Sequence, residues 1–166
     1  MGDDMNFTLA GFSRIKIVEN GKLKGDSGWM KNRIVSYGLD DGIGQTLAAS
    51  AGSKLVAYAA LGTGTAPASN STSLAGEIDH ASNSRNGVSK SVITSATGAG
   101  VTVRYYGTFS SSDAYMSATA DIQNIGLFAI SNLTAGTVLS GNTYATSNLN
   151  TNQDVQYSYE WRFATA

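Results

Sequence analysis

Hydrophobic and polar residues alternate along much of this chain, and the pattern is clearest near its C-terminal end. In the segment 155–163, one set of alternate positions holds Val155, Tyr157, Tyr159, Trp161 and Phe163, and the positions between them are polar. Strict alternation with aromatic and β-branched residues on one side predicts a half-buried β-strand. Since no residue in this segment blocks pairing, we expect it to be a central strand of its sheet.

Weaker versions of the same pattern recur along the chain, separated by turns rich in Gly, Asn and Ser. The predicted strands are 15–18, 22–24, 29–37, 54–61, 88–94, 101–109, 122–130 and 138–146. Asn20-Gly21 lies between the first two and tolerates the positive φ of a type I′ turn, so residues 15–24 are predicted to form a hairpin. Short strands at this spacing are typical of a β-sandwich or barrel.

The segment 39–49 departs from alternation. Its apolar residues recur at every fourth position, which is the spacing of one helical face: Leu39, Ile43 and Leu47. Asp40 and Asp41 near the start suit the positive end of a helix dipole, while the two glycines that follow weaken the helix by about 1 kcal/mol each. We predict one short helix packed on the sheet.

These elements predict an all-β protein, an antiparallel β-sandwich of jelly-roll-like type with one short α-helix. Residues 14–166 are expected to form a single domain that includes the N-terminal hairpin, and residues 1–13 to form an N-terminal arm. The polar segments 62–73 and 79–87 are predicted to be long loops, which in compact domains are either mobile or used for binding.

Composition adds that the core of this domain is thin. Of the 166 residues only 14% are charged, and Gly, Ser, Thr and Asn make up about two fifths of the chain. Leu, Ile, Val and Phe make up only about a fifth, near the border of disorder, but disorder of that kind also requires a high net charge. We infer that part of the apolar surface is buried against neighbouring molecules.

The same composition excludes several classes of protein. The chain has no cysteine, which rules out disulfides, thiolate metal sites and cysteine nucleophiles. A net charge of −1 argues against a dedicated nucleic-acid binder. No apolar run is long enough to span a bilayer, and the acidic start does not resemble a signal peptide, so neither nucleic acid nor membrane is expected as a partner.

Catalytic chemistry is not expected either. His80 is the single histidine, and no Gly-x-Ser-x-Gly turn accompanies it. The twelve carboxylates show no spacing typical of a glycosidase pair or a calcium loop. Gly62-Thr63-Gly64 lacks the third glycine and the helix of a dinucleotide loop. We predict a non-enzymatic protein without metal or cofactor.

Candidate binding residues cluster at the N-terminal end. Six of the eleven basic residues precede residue 35, and three apolar residues of the arm accompany them. The candidate docking residues are Phe7, Leu9, Phe12, Arg14, Lys16, Lys22 and Lys24. This basic hairpin could meet an acidic partner surface or nucleic acid, or its lysines could protect a solvated sheet edge from aggregation. Strand addition to a partner is a further way in which the arm could dock.

A set of short segments in fixed order resembles a known class of protein. The segments are 39–43 (LDDGI), 60–68 (ALGTGTAPA), 72–77 (TSLAGE), 125–128 (IGLF) and a final strand that ends in an aromatic residue. Together they resemble small structural proteins of tailed bacteriophages, over roughly residues 34–163. In those proteins a charged residue often precedes Gly-Leu-Phe, whereas Asn124 and Ile125 stand there in this chain.

The resemblance implies a virion structural protein, and within it we favour a capsid decoration or cement protein. Its partners would be the major capsid protein and copies of itself, in a closed homo-oligomer such as a trimer. It would be made in the host cytoplasm and sit on the capsid surface of the virion. The alternatives are a phage tail or fibre component, and a carbohydrate-binding module that uses the late tyrosines and the loop 62–73.

Overall fold

The computed structural model describes residues 7–48, 54–78, 85–94, 100–113, 115, 119–133 and 136–165. Antiparallel strands dominate these ranges, so the predicted all-β sandwich with one short helix is confirmed. The strands are β1 (Phe7–Glu19), β2 (Lys22–Asp26), β3 (Met30–Ile34), β4 (Tyr58–Gly62), β5 (Asn86–Gly87), β6 (Ser89–Thr94), β7 (Gly100–Phe109), β8 (Ala120–Phe128), β9 (Val138–Leu149) and β10 (Asp154–Thr165). A short 3-10 helix (Ser111–Asp113) follows β7.

The sheet closes almost completely on itself because two stretches of chain change partners along their length. β3 pairs with β1 through residues 30–32 and with β9 through residues 33–34. β5 pairs with β4, and the chain continues past Val88 into β6, which pairs with β7. The strand order is β5-β4-β8-β9-β3-β1-β10-β7-β6, with β2 alongside β1. The result is a nearly closed, barrel-like sandwich.

The two ends of the described chain lie side by side in the sheet. β1 pairs with β10 from Phe7↔Thr165 to Val18↔Asp154, and the other edge of β10 pairs with β7. The prediction that the C-terminal strand is central is therefore confirmed. Residues 7–13, by contrast, were expected in a separate arm, and the structure places them inside β1, where alternate side chains from Leu9 onward face the barrel.

The predicted N-terminal hairpin is confirmed. β1 and β2 pair from Glu19↔Lys22 onward, and a register shift between Ile17 and Val18 marks a bulge. Asn20 and Gly21 form the turn with φ of +50° and +74°. Both angles are positive, as a type I′ turn requires. This turn type is favoured in hairpins because its twist matches the right-handed twist of the two strands.

The helix begins earlier than predicted and is irregular. It runs through α1 (Ser36–Leu39), a wide π-helical turn (Asp40–Gly44) and α2 (Gln45–Leu47). The earlier start places Asp41 in the middle of the helix, so its expected position at the positive end of the dipole is wrong. Asp41 is instead buried, and it accepts hydrogen bonds from Gln45 Nε2 (2.8 Å) and Lys54 Nζ (2.6 Å).

The main core fills the barrel with inward-facing residues of several strands, chiefly β8 and β10. Trp161 packs edge-on against Tyr105, with ring centroids 5.3 Å apart. The hydroxyl of fully buried Tyr159 donates a hydrogen bond to the carbonyl of Ile125 at 2.8 Å. Most of the late tyrosines are therefore core residues: Tyr105, Tyr115, Tyr144, Tyr157 and Tyr159. They do not form the exposed sugar-binding face considered from the sequence.

A second, smaller core lies on the outside of the sheet, beneath the polar segment that was predicted as a loop. The segment folds back on itself, because the amides of Thr63 and Gly64 donate to the carbonyls of Gly76 and Ala75, each at 3.0 Å. The buried Asn124 side chain donates to Ala75 (2.8 Å) and Thr65 (3.0 Å). We call residues 62–77 the lid, because they cover the apolar residues of the smaller cluster: Val35, Ala60, Leu74, Phe128 and Val138.

Arg85 joins the lid to the sheet. Its side chain is 2% exposed and forms a two-point ion pair with Glu77, in which Nε lies 2.6 Å from Oε1 and Nη2 lies 3.1 Å from Oε2. The guanidinium stacks 3.5 Å above the Phe128 ring and donates to the carbonyl of Ile130 at 2.9 Å. The segment 62–73 is thus a structural element of this fold.

Candidate functional site

The outer face of β1, β10, β7 and β6 carries a group of charged and aromatic side chains that lie close together. Strand pairing aligns outward-facing residues into rows across the sheet. One row is Phe12, Glu160, Arg104 and Ser91, and the next is Arg14, Ser158, Tyr106 and Ser89. These residues lie far apart in the sequence, and the register of the strands alone brings them together.

Glu160 is the centre of this face. Its carboxylate is almost fully buried even though it points away from the barrel core, because two arginines cover it. Arg104 donates to Oε1 from Nε (2.9 Å) and Nη2 (2.6 Å), and Arg162 donates to Oε2 from Nε (2.8 Å) and Nη2 (2.6 Å). Each carboxylate oxygen therefore holds one guanidinium in a fixed position.

Aromatic side chains extend the cluster toward β3. The Arg162 guanidinium carbon lies 4.1 Å from the centre of the Phe12 ring and 6.0 Å from that of Trp29. Both distances are within the range of a cation–π interaction. Trp29 nevertheless remains 40% exposed, so a large aromatic surface beside Arg162 is open to a partner.

A second ion pair lies along the edge of the cluster. Arg14 makes a two-point contact with Asp26, in which Nε lies 2.9 Å from Oδ1 and Nη2 contacts Oδ2. These hydrogen bonds hold the pKa of Asp26 down at about 2. Arg14, Lys16, Trp29 and Arg104 line a cavity of about 330 Å³. We call these residues, together with Phe12 and Arg162, the basic–aromatic face.

A wider groove continues from this face across β7 and β6. It has a volume of about 640 Å³ and is lined mainly by hydroxyl and amide groups, among them Ser89, Ser91, Thr108, Gln156 and Ser158. Tyr106 stands in it with 41% of the residue exposed, and Arg104 forms its border with the basic–aromatic face. We call this the polar groove.

The predicted docking residues are only partly brought together. Phe12, Arg14 and Lys16 share the basic–aromatic face, whereas Leu9 packs against the barrel core. Lys22 and Lys24 are exposed on β2, and Lys24 Nζ lies 3.7 Å from Glu19 Oε2. Phe7 opens β1 opposite Thr165.

Tyr106 is one of the late tyrosines of the carbohydrate-binding alternative, but sequence reasoning missed Trp29, Arg104, Glu160 and Arg162 as site residues. The signal for the last two was present, because they are the polar positions that alternate with the aromatic residues of β10 and so must share its outer face. Trp29 and Arg104 come from other segments. Their membership depends on which strands become neighbours, which the pattern does not show.

Acidification is expected to remove stabilisation that Glu160 provides. Burial alone would raise the pKa of Glu160, but the hydrogen bonds from Arg104 and Arg162 outweigh it and lower the pKa below the ordinary 4.5. The ionised carboxylate therefore stabilises the fold at pH values above the pKa that Glu160 has in the unfolded chain. This contribution is lost as the pH falls through the lower pKa that Glu160 has in the folded protein. In urea titrations, the unfolding free energies of the native protein and Glu160→Gln should differ most near neutral pH and converge below 4.5. A difference that stays constant down to acidic pH would contradict this.

Other candidate sites add nothing to this picture. In the part of the chain that the structure describes, no three His, Cys, Asp or Glu residues are grouped as metal ligands would be. His80 lies outside the described residues. No helix among the described ranges is both long and apolar enough to cross a membrane.

Comparison with known proteins gives no relative from which a role could be transferred. No family model, no curated protein and no solved structure matches this chain.

Proposed function

We propose that this protein is a non-enzymatic structural component of a phage virion, and specifically a decoration or cement protein that attaches to the major capsid protein. The observation that carries the proposal is the basic–aromatic face, on which Glu160 holds two arginines beside exposed Trp29. The choice of a virion follows from the resemblance of the segments between residues 34 and 163 to phage structural proteins. The mechanism is contact that bridges subunits.

The composition of the face supports attachment to another protein. Trp, Tyr and Arg are the residues most enriched among those that dominate protein–protein binding energy. Arg104 and Arg162 are already fixed by Glu160, and Arg162 also rests on Phe12. Binding therefore costs little additional side-chain entropy, which favours affinity.

Charge indicates the chemistry of the partner. Arg104 and Arg162 cover the buried carboxylate of Glu160. Arg14 and Lys16 line the same cavity as Arg104, and Asp26 lies against Arg14. The face is thus locally basic on a chain whose net charge is −1. An acidic patch on the capsid subunit is the complementary surface, and such pairing would speed encounter at low ionic strength.

Exposed leucines support burial against further copies of this chain. Leu47 is 82% exposed and Leu55 is 58% exposed, and both belong to the connection between β3 and β4. Leu39 of the same connection also lines, together with residues of β1 and β3 such as Leu9 and Ile34, a largely apolar cavity of about 560 Å³. These surfaces fit the expectation that some burial in this thin-cored protein belongs to an assembly such as a trimer.

Trp29→Ala is expected to weaken attachment to capsids by about thirtyfold, equivalent to about 2 kcal/mol, because it removes the exposed aromatic anchor of the face. The measurement is co-sedimentation of purified protein with virions assembled without this chain. Tyr37→Ala is the matched control, because Tyr37 is a similarly exposed aromatic residue outside the face.

The location of the bound protein separates the proposal from its runner-up. Density or immunogold label on the head supports a decoration protein, whereas label confined to the tail would replace that role by a tail or fibre component. Failure of the native protein to add to particles that lack it would contradict both. Equal attachment of the Trp29→Ala and Tyr37→Ala variants would show that docking uses another surface.

A further inference from the structure

The polar groove adjoins the basic–aromatic face and shares Arg104 with it, but its other lining residues lie outside that face on β10, β7 and β6. The row Arg14, Ser158, Tyr106 and Ser89 crosses β1, β10, β7 and β6 in register. Ser158, Tyr106 and Ser89 of this row line the groove, and adjacent strands lie about 4.8 Å apart, so the groove spans about 10 Å across the sheet. The groove is therefore long enough for an extended ligand, and its centre lies on β7, two strands away from β1.

The lining of the groove suits a hydroxyl-rich ligand. Ser89, Ser91, Thr108 and Ser158 supply hydroxyl groups that both donate and accept, and Gln156 supplies an amide. Tyr106 rises among them with 41% of the residue exposed. An exposed ring surrounded by small polar groups can pack against the apolar face of a sugar ring while its neighbours bind the sugar hydroxyls.

Charge at the border of the groove adds a requirement for the ligand. No carboxylate is among the residues that line the groove, and Arg104, two residues before Tyr106 on β7, lies at the end of the groove next to the basic–aromatic face. Nε and Nη2 of Arg104 are bonded to Glu160, but the side chain remains 39% exposed, and a guanidinium carries five N–H donors. Lys16 and Arg14 lie just beyond it in the adjoining cavity. The groove therefore favours a ligand with a negative group at this end.

We propose that the polar groove binds an acidic saccharide chain. A sugar ring packs on Tyr106, the serines of β6 and β10 bond its hydroxyls, and a carboxylate of the chain faces Arg104. This activity goes beyond capsid attachment, since it depends on Tyr106 and the serines beside it, whereas Phe12 and Trp29 lie outside the groove and Arg104 lies at the border of both surfaces. A copy attached through the basic–aromatic face could hold a surface polysaccharide at the edge of that contact.

Calorimetric titration with defined trisaccharides tests the proposal. The full chain should bind trigalacturonic acid at least about tenfold more tightly than galactotriose at low salt, because only the former offers carboxylates to Arg104. The preference should shrink when the salt concentration is raised, since exposed charges are then screened. The proposal would be overturned if neither trisaccharide binds, or if the two bind equally tightly.

Variants locate the site and separate the two functions. Tyr106→Ala should weaken binding of trigalacturonic acid by about tenfold or more, while Tyr106→Phe, which keeps the ring, should bind nearly as the native protein does. Trp29→Ala should weaken capsid attachment and leave saccharide binding unchanged. Tyr106→Ala should weaken saccharide binding and leave capsid attachment unchanged. Because each property has its own variant and assay, either can fail without the other.

Two further outcomes would contradict the proposal that the polar groove binds a saccharide. If hexaglutamate binds as tightly as trigalacturonic acid, the groove recognises charge alone, as a protein-docking surface would, and the proposal is overturned. If Tyr106→Ala binds the sugar unchanged, the binding site lies elsewhere, and the assignment to the groove is overturned. Unfolding midpoints of each variant confirm that the exposed substitutions leave the fold intact.

Discussion

Replacing Arg85 by alanine is expected to lower the free energy of unfolding by about 3–5 kcal/mol. The substitution leaves the Glu77 carboxylate, which is 12% exposed, without its two-point partner. It also removes the donor to the carbonyl of Ile130 and the cation above the Phe128 ring. Denaturation in guanidinium chloride, followed by tryptophan fluorescence, measures the change.

Two variants sharpen this result. Arg85→Lys keeps the charge but loses the planar fork that meets both oxygens of Glu77, so we expect a destabilisation that is smaller than that of alanine yet clearly measurable. Arg14→Ala breaks an ion pair of the same two-point type with Asp26 on an exposed strand, and it should leave the unfolding midpoint nearly unchanged. If Arg85→Ala lost no more stability than Arg14→Ala, the lid would not depend on the buried ion pair.

The second large effect is expected at Gly38. A Cβ atom at this position would overlap the backbone oxygen of Leu139 and come within 2.9 Å of Ile34 Cγ2. The Leu139 oxygen is a backbone atom near the start of β9 that accepts a hydrogen bond from the amide of Val35, so it cannot move aside by changing a rotamer and the whole helix would have to shift. We expect Gly38→Ala to cost about 3 kcal/mol or more, at the upper end of overpacking effects. Thermal and chemical denaturation measure the loss.

Gly42, one turn further along the same helix, is the matched control. Its added Cβ would meet only ordinary neighbours, the nearest being Trp161 Cη2 at 3.5 Å. Gly42→Ala should therefore be neutral or stabilise the protein by up to about 1 kcal/mol, because alanine is the better helix former. Equal effects of the two substitutions would mean that propensity, and not the contact with β9, determines the stability of this helix.

The strands were predictable because burial on one side of a sheet leaves a local trace in the sequence. β10 shows this most clearly, with Tyr157, Tyr159 and Trp161 facing the barrel and the residues between them facing outward. The N-terminal half of β1 was missed because its inward positions include Gly11 and Ser13, which do not read as hydrophobic. Gly11 is small for a steric reason, since a Cβ there would lie 2.9 Å from the Asn32 carbonyl oxygen.

The candidate site could not be predicted to the same extent, because it depends on long-range register. Phe12, Arg104 and Glu160 become neighbours only when β1, β10 and β7 pair as they do. The docking prediction included Phe12, Arg14 and Lys16 because charged and aromatic residues are concentrated in this part of the sequence. It placed Leu9 with them because a sequence does not show which face of a mixed strand points inward.

The lid over the smaller core illustrates a different limit. Its segment is rich in Gly, Ser and Thr, and such segments are usually solvated loops. Here Gly62 and Gly64 leave room for the crossing chain at Ala75 and Gly76. The side chain of Asn124 donates hydrogen bonds to the backbone carbonyls of Thr65 and Ala75. The polarity of the segment reflects backbone hydrogen bonding within a covered layer, which composition alone does not separate from exposure.

The pairing of β1 with β10 has a consequence for how the chain is made. The hydroxyl of Thr8 donates to the carbonyl of Ala164, two residues that are 156 positions apart. During synthesis, β1 and β7 therefore each keep one long edge unpaired until β10, the strand that pairs with both, has been synthesised. Exposed edges of this kind recruit other chains. The nascent protein is most open to aggregation in that interval, and the arrival of β10 ends it.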